Sequence, residues 1–193
     1  VQNKQMEAVK TALKVLKLLG MHLPEHPKKF HILLGLLRTK LALAGKPIDS
    51  LINLPEMTDP YKLAAMRILS SVAGTAAHVF PEMLPLILYK LVNLSVKYGN
   101  TSFSAFAYAT YGFVLCGLAG EIEDGYRFGK LALSVLDKFN AKELKAKTFN
   151  VVYFLVRHWK EHIRETIQPF LEAYASGLET GDLEYGAYCA LMY

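Results

Sequence analysis

Apolar positions recur every three to four residues through most of this chain, and the runs that carry them are cut by glycine and proline. Val9, Leu13, Leu16 and Leu19 share one face of a helix that stops at Gly20. Leu33, Leu34, Leu37 and Leu41 trace a second helix, about residues 28–44, which ends at Gly45. Pro24 and Pro27 mark the connector between the two. Pro47 and Pro55 leave room for one short helix near Asp49–Asn53. Asp59-Pro60 is a strong helix start, because the carboxylate can cap free amides and proline suits the first helical position. Further helices are predicted from 60 to 78 and from Pro81-Glu82 to Tyr98, then over 102–118, 122–139, 142–160, 163–180 and a final one from Asp182. No stretch alternates in the strand manner between hairpin turns.

The pattern repeats. Tyr108-Ala-Thr-Tyr-Gly-Phe-Val-Leu115 matches Tyr185-Gly-Ala-Tyr-Cys-Ala-Leu-Met192 in its aromatic, small and aliphatic positions at an offset of 77 residues. Halving the offset lands on Ala146–Val152, and stepping back lands on Ser70–Ala77. A period of about 38 residues is the mark of stacked helix pairs, in which each unit buries its apolar face only against its neighbours. The expected fold is all-α: tandem antiparallel pairs in a right-handed superhelix. Residues 1–193 would form one helical-repeat domain with units near 1–58, 59–100, 101–140, 141–181 and a truncated 182–193. The pairs resemble tetratricopeptide repeats without the full signature. Tyr111-Gly112 and Leu115 fill part of the first-helix set, and Gly125, Gly129 and Ala132 fill the second.

Several longer runs resemble the helical region of very large, mostly cyanobacterial signalling kinases. These are Leu54–Leu69, Tyr98–Ala109, Phe139–Thr148, Arg157–His162 and Leu171–Tyr185. In that family a serine/threonine kinase domain and an AAA-type ATPase precede the helical region, with a GAF sensor and usually a histidine kinase after it. The resemblance covers nearly the whole chain and implies an interdomain role. With no initiator Met and no polar tail after Leu191-Met192-Tyr193, the chain is expected to be a segment of a longer cytoplasmic protein.

Charge and chemistry change this picture little. The hydrophobic share is 52% and the net charge +5. Residues 1–60 carry 9 basic and 5 acidic side chains, 61–160 carry 12 and 6, and 161–193 carry 1 and 6. The lysines are scattered along helical faces, so no nucleic-acid partner is expected. Thr101–Gly120 is uncharged and long enough to cross a bilayer, yet its serines, threonines, tyrosines and glycines suit a packed inner helix better, and no membrane role is expected. Cys116 and Cys189 sit in apolar segments and read as buried free thiols.

No phosphate loop, kinase catalytic loop or histidine-kinase ATP lid is present. Enzymatic activity, a cofactor and a metal are therefore not expected. His158 and His162 have metal-ligand spacing, but they lack a third ligand and sit among Arg157, Lys160 and Arg164. They read better as a basic helix end, or as a contact for a phosphate or an acidic segment together with Trp159. Tyr108, Tyr111, Tyr153, Tyr185 and Tyr188 either line a concave groove that holds a peptide or another domain, or fill the space between helices with their hydroxyls at the rim.

These features leave two functional readings. One is a protein–protein interaction and signal-relay scaffold, contacting other domains of the same polypeptide or partner proteins. The other is a sensor that binds a small molecule or peptide in its groove. The closing half-repeat, with Tyr185, Tyr188, Leu191 and Met192 lacking a partner helix, is expected to pair with a second copy as a homodimer or to fray.

Overall fold

The computed structural model describes residues 2–193, with side chains from Lys4 onward. Helix accounts for 82% of the chain, and no strand forms among the described residues. One isolated bridge pairs Glu56 with Asn100. The chain divides into two compact units. One runs up to Lys46 and resumes over Leu54–Asn100, and the other comprises Pro47–Asn53 and Thr101–Tyr193.

The first unit holds α1 (Gln2–Leu18), α2 (Lys29–Leu43), α3 (Pro60–Val79) and α4 (Leu84–Tyr98). Asp59 starts α3 as its sequence promised: Oδ1 accepts the amides of Tyr61 at 2.9 Å and Lys62 at 3.2 Å, with Pro60 in the first turn. A 3-10 turn over Pro81–Met83 reverses the chain, so α3 and α4 pack as a hairpin. Met66, Leu69, Ala73, Met83, Ile87 and Leu91 form its buried seam. The first two helices lean on this hairpin, α1 on α3 and α2 on α4. Thr39 fixes the second contact: its buried hydroxyl donates to Gly35 O at 2.9 Å and accepts from Asn93 Nδ2 of α4 at 2.9 Å.

The second unit holds α5 (Ser102–Val114), α6 (Ile122–Lys138), α7 (Lys145–Phe149), α8 (Ile167–Thr180) and α9 (Leu183–Met192). Thr101 caps α5 reciprocally, accepting from Phe103 N and donating its own amide to Ser104 Oγ, each at 2.9 Å. At the crossing of α5 and α6 glycine lets the helices approach closely. A Cβ on Gly112 would meet Gly125 O at 2.7 Å, so the two backbones touch where no side chain intervenes. Gly177 of α8 and Gly186 of α9 repeat the device. The stretch Ser102–Ala119 that could pass for a membrane span is 67% buried inside the chain, which accounts for its lack of charge. The short helix expected near 49–53 is a 3-10 turn, Ile48–Asn53, docked on α6 by an Arg127–Asp49 pair at 2.8 Å and by Lys138 Nζ donating to Ile52 O at 2.7 Å.

The continuous helix predicted over 142–160 does not form. A 3-10 turn at Lys142–Leu144 leads into α7, which widens to a π-helix over Asn150–Val156 and tightens again at Arg157–Trp159. Val151, Val152, Tyr153 and Val156 are all buried. A wider turn lets more neighbouring side chains point inward than an α turn does, and the valines crowd a regular one. A second π turn, Leu115–Ala119, ends α5. Both cysteines are free and buried.

The glycine crossing is directly testable. Gly112→Ala should destabilise the chain by about 1–3 kcal/mol, although alanine is the better helix former, because the added methyl meets a backbone carbonyl that cannot step aside. Urea unfolding would measure it, and an unchanged or raised midpoint would show that the helices can separate at no cost.

Candidate interaction surface

A polar knot ties the end of the π-helix to α6. The Arg157 guanidinium lies over the Tyr153 ring, 5.0 Å from its centroid, and donates to the Tyr153 hydroxyl at 3.2 Å. It also donates to Glu161 Oε1 at 2.5 Å, and Tyr126 of α6 donates its hydroxyl to the same oxygen at 2.5 Å. Lys160 pairs with Glu123 and rides over the Tyr126 ring at 5.1 Å. Burial opposes ionisation of Glu161, but the bonds from Arg157 and Tyr126 prevail and hold its carboxyl below the usual range. The same bond to Glu161, joined by burial, pushes the Tyr126 hydroxyl up. Arg157 Nε is buried without a hydrogen-bond partner.

The sequence expectation of a basic helix end is thus modified, since Arg157 spends its charge on a carboxylate and a ring. His158 and Trp159 face outward, stacked at 5.4 Å, with Trp159 45% exposed. His162 turns away, and its Nδ1 accepts the Arg164 amide at 3.1 Å to cap the 3-10 turn Ile163–Thr166. A turn separates the two histidines, so they do not share one helix face.

The tyrosines divide. Tyr108 is 0% exposed and Tyr111 is buried as well, both packed on Phe128 at 6.0 and 5.0 Å. They fill the space between helices and cannot touch a partner, which corrects their candidacy as groove residues. Tyr153 is buried beneath Arg157. Tyr185 and Tyr188 are half-buried, 5.7 Å apart, and Tyr185 also meets the Phe106 ring at 6.5 Å. The expectation that these two stand bare on a cut end is corrected too, because they pack inward while Leu191 and Tyr193 remain exposed.

Beneath them lies a residue that sequence reasoning passed over. Lys147 of α7 holds its ammonium 4.9 Å from the Phe106 centroid and 5.2 Å from that of Tyr185. Burial lowers its pKa, and the Asp182 and Glu184 charges pull the other way. The signal was a lone charge inside the small and apolar run Ala146–Val152.

The remaining surface is apolar in two places. Ile163 of the preceding 3-10 turn, 69% exposed, and Ile167, Leu171, Tyr174 and Leu178 of α8 form an exposed apolar stripe. Glu165, Glu172 and Glu179 run beside it at heptad spacing. In the first unit Phe30, Leu33, Leu34, Leu37 and Leu41 form a like stripe on α2, with Leu33 68% exposed. Five basic residues and no acidic one lie from Lys28 to Lys46. Each helix is therefore apolar on the side it packs and on a side it leaves open.

No family model matches the chain, and no solved structure matches it. A curated protein that it resembles is hybrid signal transduction histidine kinase G of Dictyostelium discoideum, 26% identical over 112 residues. The match takes in 57% of this chain, while the chain spans 3% of that protein. The similarity fits a signalling-kinase context.

Two substitutions probe the half-buried charges. Glu161→Gln should cost about 1–2 kcal/mol at neutral pH, since two charge-assisted hydrogen bonds weaken. The folded pKa of Glu161 lies below its unfolded value near 4.3, so its contribution is present above that value and lost as pH falls through the folded one. Urea melts of the variant should therefore fall off less steeply in acid, and parallel acid profiles would sink the assignment. Lys147 moves stability with pH in the same direction, but because its charged form is disfavoured in the fold. Its folded pKa lies below the unfolded value near 10.4, so the unfolded chain holds the proton better and stability rises as pH climbs between the two. Lys147→Met should be at least as stable at pH 7 and lack that rise. A loss above about 1 kcal/mol would show that the ring contacts outweigh desolvation.

Proposed function

We propose that this chain is a non-catalytic interaction and signal-relay segment of a multidomain signalling kinase. In this reading its helix pairs continue a right-handed, tetratricopeptide-like superhelix in the cytoplasm, and the segment stands between an ATPase module and a sensor module. The observation that carries the reading is the pair of open apolar stripes on α2 and α8. A monomer seldom exposes a helix face of this kind, and in an array such faces are where the next unit seats. Burying one large aliphatic side chain from water contributes about 1.5–3 kcal/mol, so a stripe of five can meet the cost of holding a neighbour. The similarity to a hybrid histidine kinase supports the signalling context.

Charge sorts the two stripes. The basic surround of α2 favours an acidic neighbour, whereas on the flank of α8 Glu172 and Glu179 are already paired with Lys145 and Lys142. The alternative, a sensor whose concave groove is lined by the tyrosines, draws little support, because Tyr108 and Tyr111 are enclosed. Pairing of two copies through the half-repeat after Asp182 is a competing arrangement, and light scattering in the same experiment separates it from binding to another module.

The test is titration of the chain with the ATPase and GAF segments of its parent kinase, read by calorimetry and light scattering. At least one segment should bind, and Ile167→Ser with Leu171→Ser should weaken that binding about tenfold or more while leaving the melting temperature within a few degrees. Absence of binding by both segments, or binding indifferent to the stripe, would overturn the proposal. Self-association abolished by the same substitutions would assign the stripe to a second copy.

A further inference from the structure

A cavity of about 780 Å³ opens beside α1 in the first unit, within the range that small-molecule sites occupy. Its making is local. The chain leaves α1 at Gly20, whose amide bonds Lys17 O at 3.0 Å, and Met21 N bonds back to Leu16 O at 2.8 Å. The connector then folds along the helix, stiffened by Pro24 and Pro27, and Phe80 at the end of α3 closes the far side. Because α1 leans on α3 and α2 on α4, the space between the first helix and the connector stays open.

The lining is of two kinds. Met6, Leu13, Leu23 and Phe80 give an apolar floor. Lys10, Lys14 and Lys17, with His22 and His26 from the connector, stand around it, against a single carboxylate, Glu25. Residues 6, 10, 13, 14 and 17 share one helical face, so the floor and the cations are presented together. Among the described residues none of the three lysine ammonium groups has a hydrogen bond or an ion pair. Three unpaired like charges repel one another, and an apolar floor gains nothing from water. Both costs would be relieved by one kind of occupant.

We propose that this cavity binds an anionic amphiphile, a small molecule with an apolar body and a carboxylate or phosphate head. The body lies on Leu13, Leu23 and Phe80, and the head is held by Lys10 and Lys14. Those two lie before the last turn of α1, whereas Lys17 lies within it, at the negative end of the helix dipole. The site is separate from the stripes of α2 and α8, so it stands or falls independently of the interaction reading.

The experiment is calorimetric titration of the chain with dodecanoate, dodecyl phosphate, dodecyl maltoside and inorganic phosphate, the amphiphiles kept below their micellar concentrations. Dodecanoate or dodecyl phosphate should bind saturably, one per chain, and the tighter of the two identifies the head. The neutral maltoside and inorganic phosphate should each bind about tenfold more weakly or worse. Lys10→Gln with Lys14→Gln, both exposed and tolerant of change, should weaken binding about tenfold, and added salt should weaken it further. Leu23→Ser gives a second reading from the apolar side, with circular dichroism confirming that each variant is folded. Partition without saturation, equal binding of the neutral amphiphile, or affinity unmoved by both variants would overturn the proposal.

Discussion

Where α5 meets α6, the Gly112 and Gly125 backbones touch, and the second unit is arranged around that contact. Helices usually pack at about 8–10 Å, with side chains setting the spacing. Removing the side chain at the crossing brings the axes closer, and everything flanking it must then fit a shorter distance. Tyr108 and Tyr111 on one helix consequently close over Phe128 on the other. Gly129, one turn on from Gly125, admits Val156 from the π-helix in the same way, since a Cβ there would lie 2.9 Å from Val156 Cγ1. One permission for close approach thus fixes the core tyrosines and seats the distorted helix.

The distortion has a consequence for the surface. By taking Val151, Val152, Tyr153 and Val156 inward together, the π-helix exhausts the run of apolar residues, and the chain leaves the core at Arg157. The knot of Arg157, Glu161 and Tyr126 then holds the exit bend, so that Trp159 is displayed on a braced segment. Single-turn π-bulges often accompany functional positions, and here the wider turn re-aims the residues immediately C-terminal to it.

Much of the fold was legible because its stop and start signals are chemical. Asp59-Pro60, Pro81 and Thr101 each start a helix where capping rules place one, and Gly20, Gly45 and Gly120 each come just after a helix end. The helical period was clear wherever a helix has one wet side. It misled over 142–160, where burial on nearly every side of residues 144–153 erases the period that separates α from π geometry. The pairing of α1 with α3 and α2 with α4 was also hidden, because periodicity tells which face is apolar and not which neighbour it meets. The candidate surface was half legible. Arg157, Trp159 and the histidines stood out as a dense polar cluster, yet Glu161 and Tyr126 lie 35 residues apart, and only the fold joins them. Tyrosines read alike in sequence but separate by depth, which no residue type encodes.

The two thiols acquire a use from where they sit. Cys116 lies in the π turn that ends α5, its sulfur near Ile122 O at 3.7 Å, and Cys189 lies on α9 against Ala146 O at 3.6 Å. Burial pushes both up in pKa, Cys189 to about 11, so in the closed state neither offers much thiolate to an alkylating reagent. Each guards a different seam, one between α5 and α6 and the other between α7 and α9. Their separate labelling rates therefore form a native two-channel clock for local opening, read by mass spectrometry with no foreign probe installed.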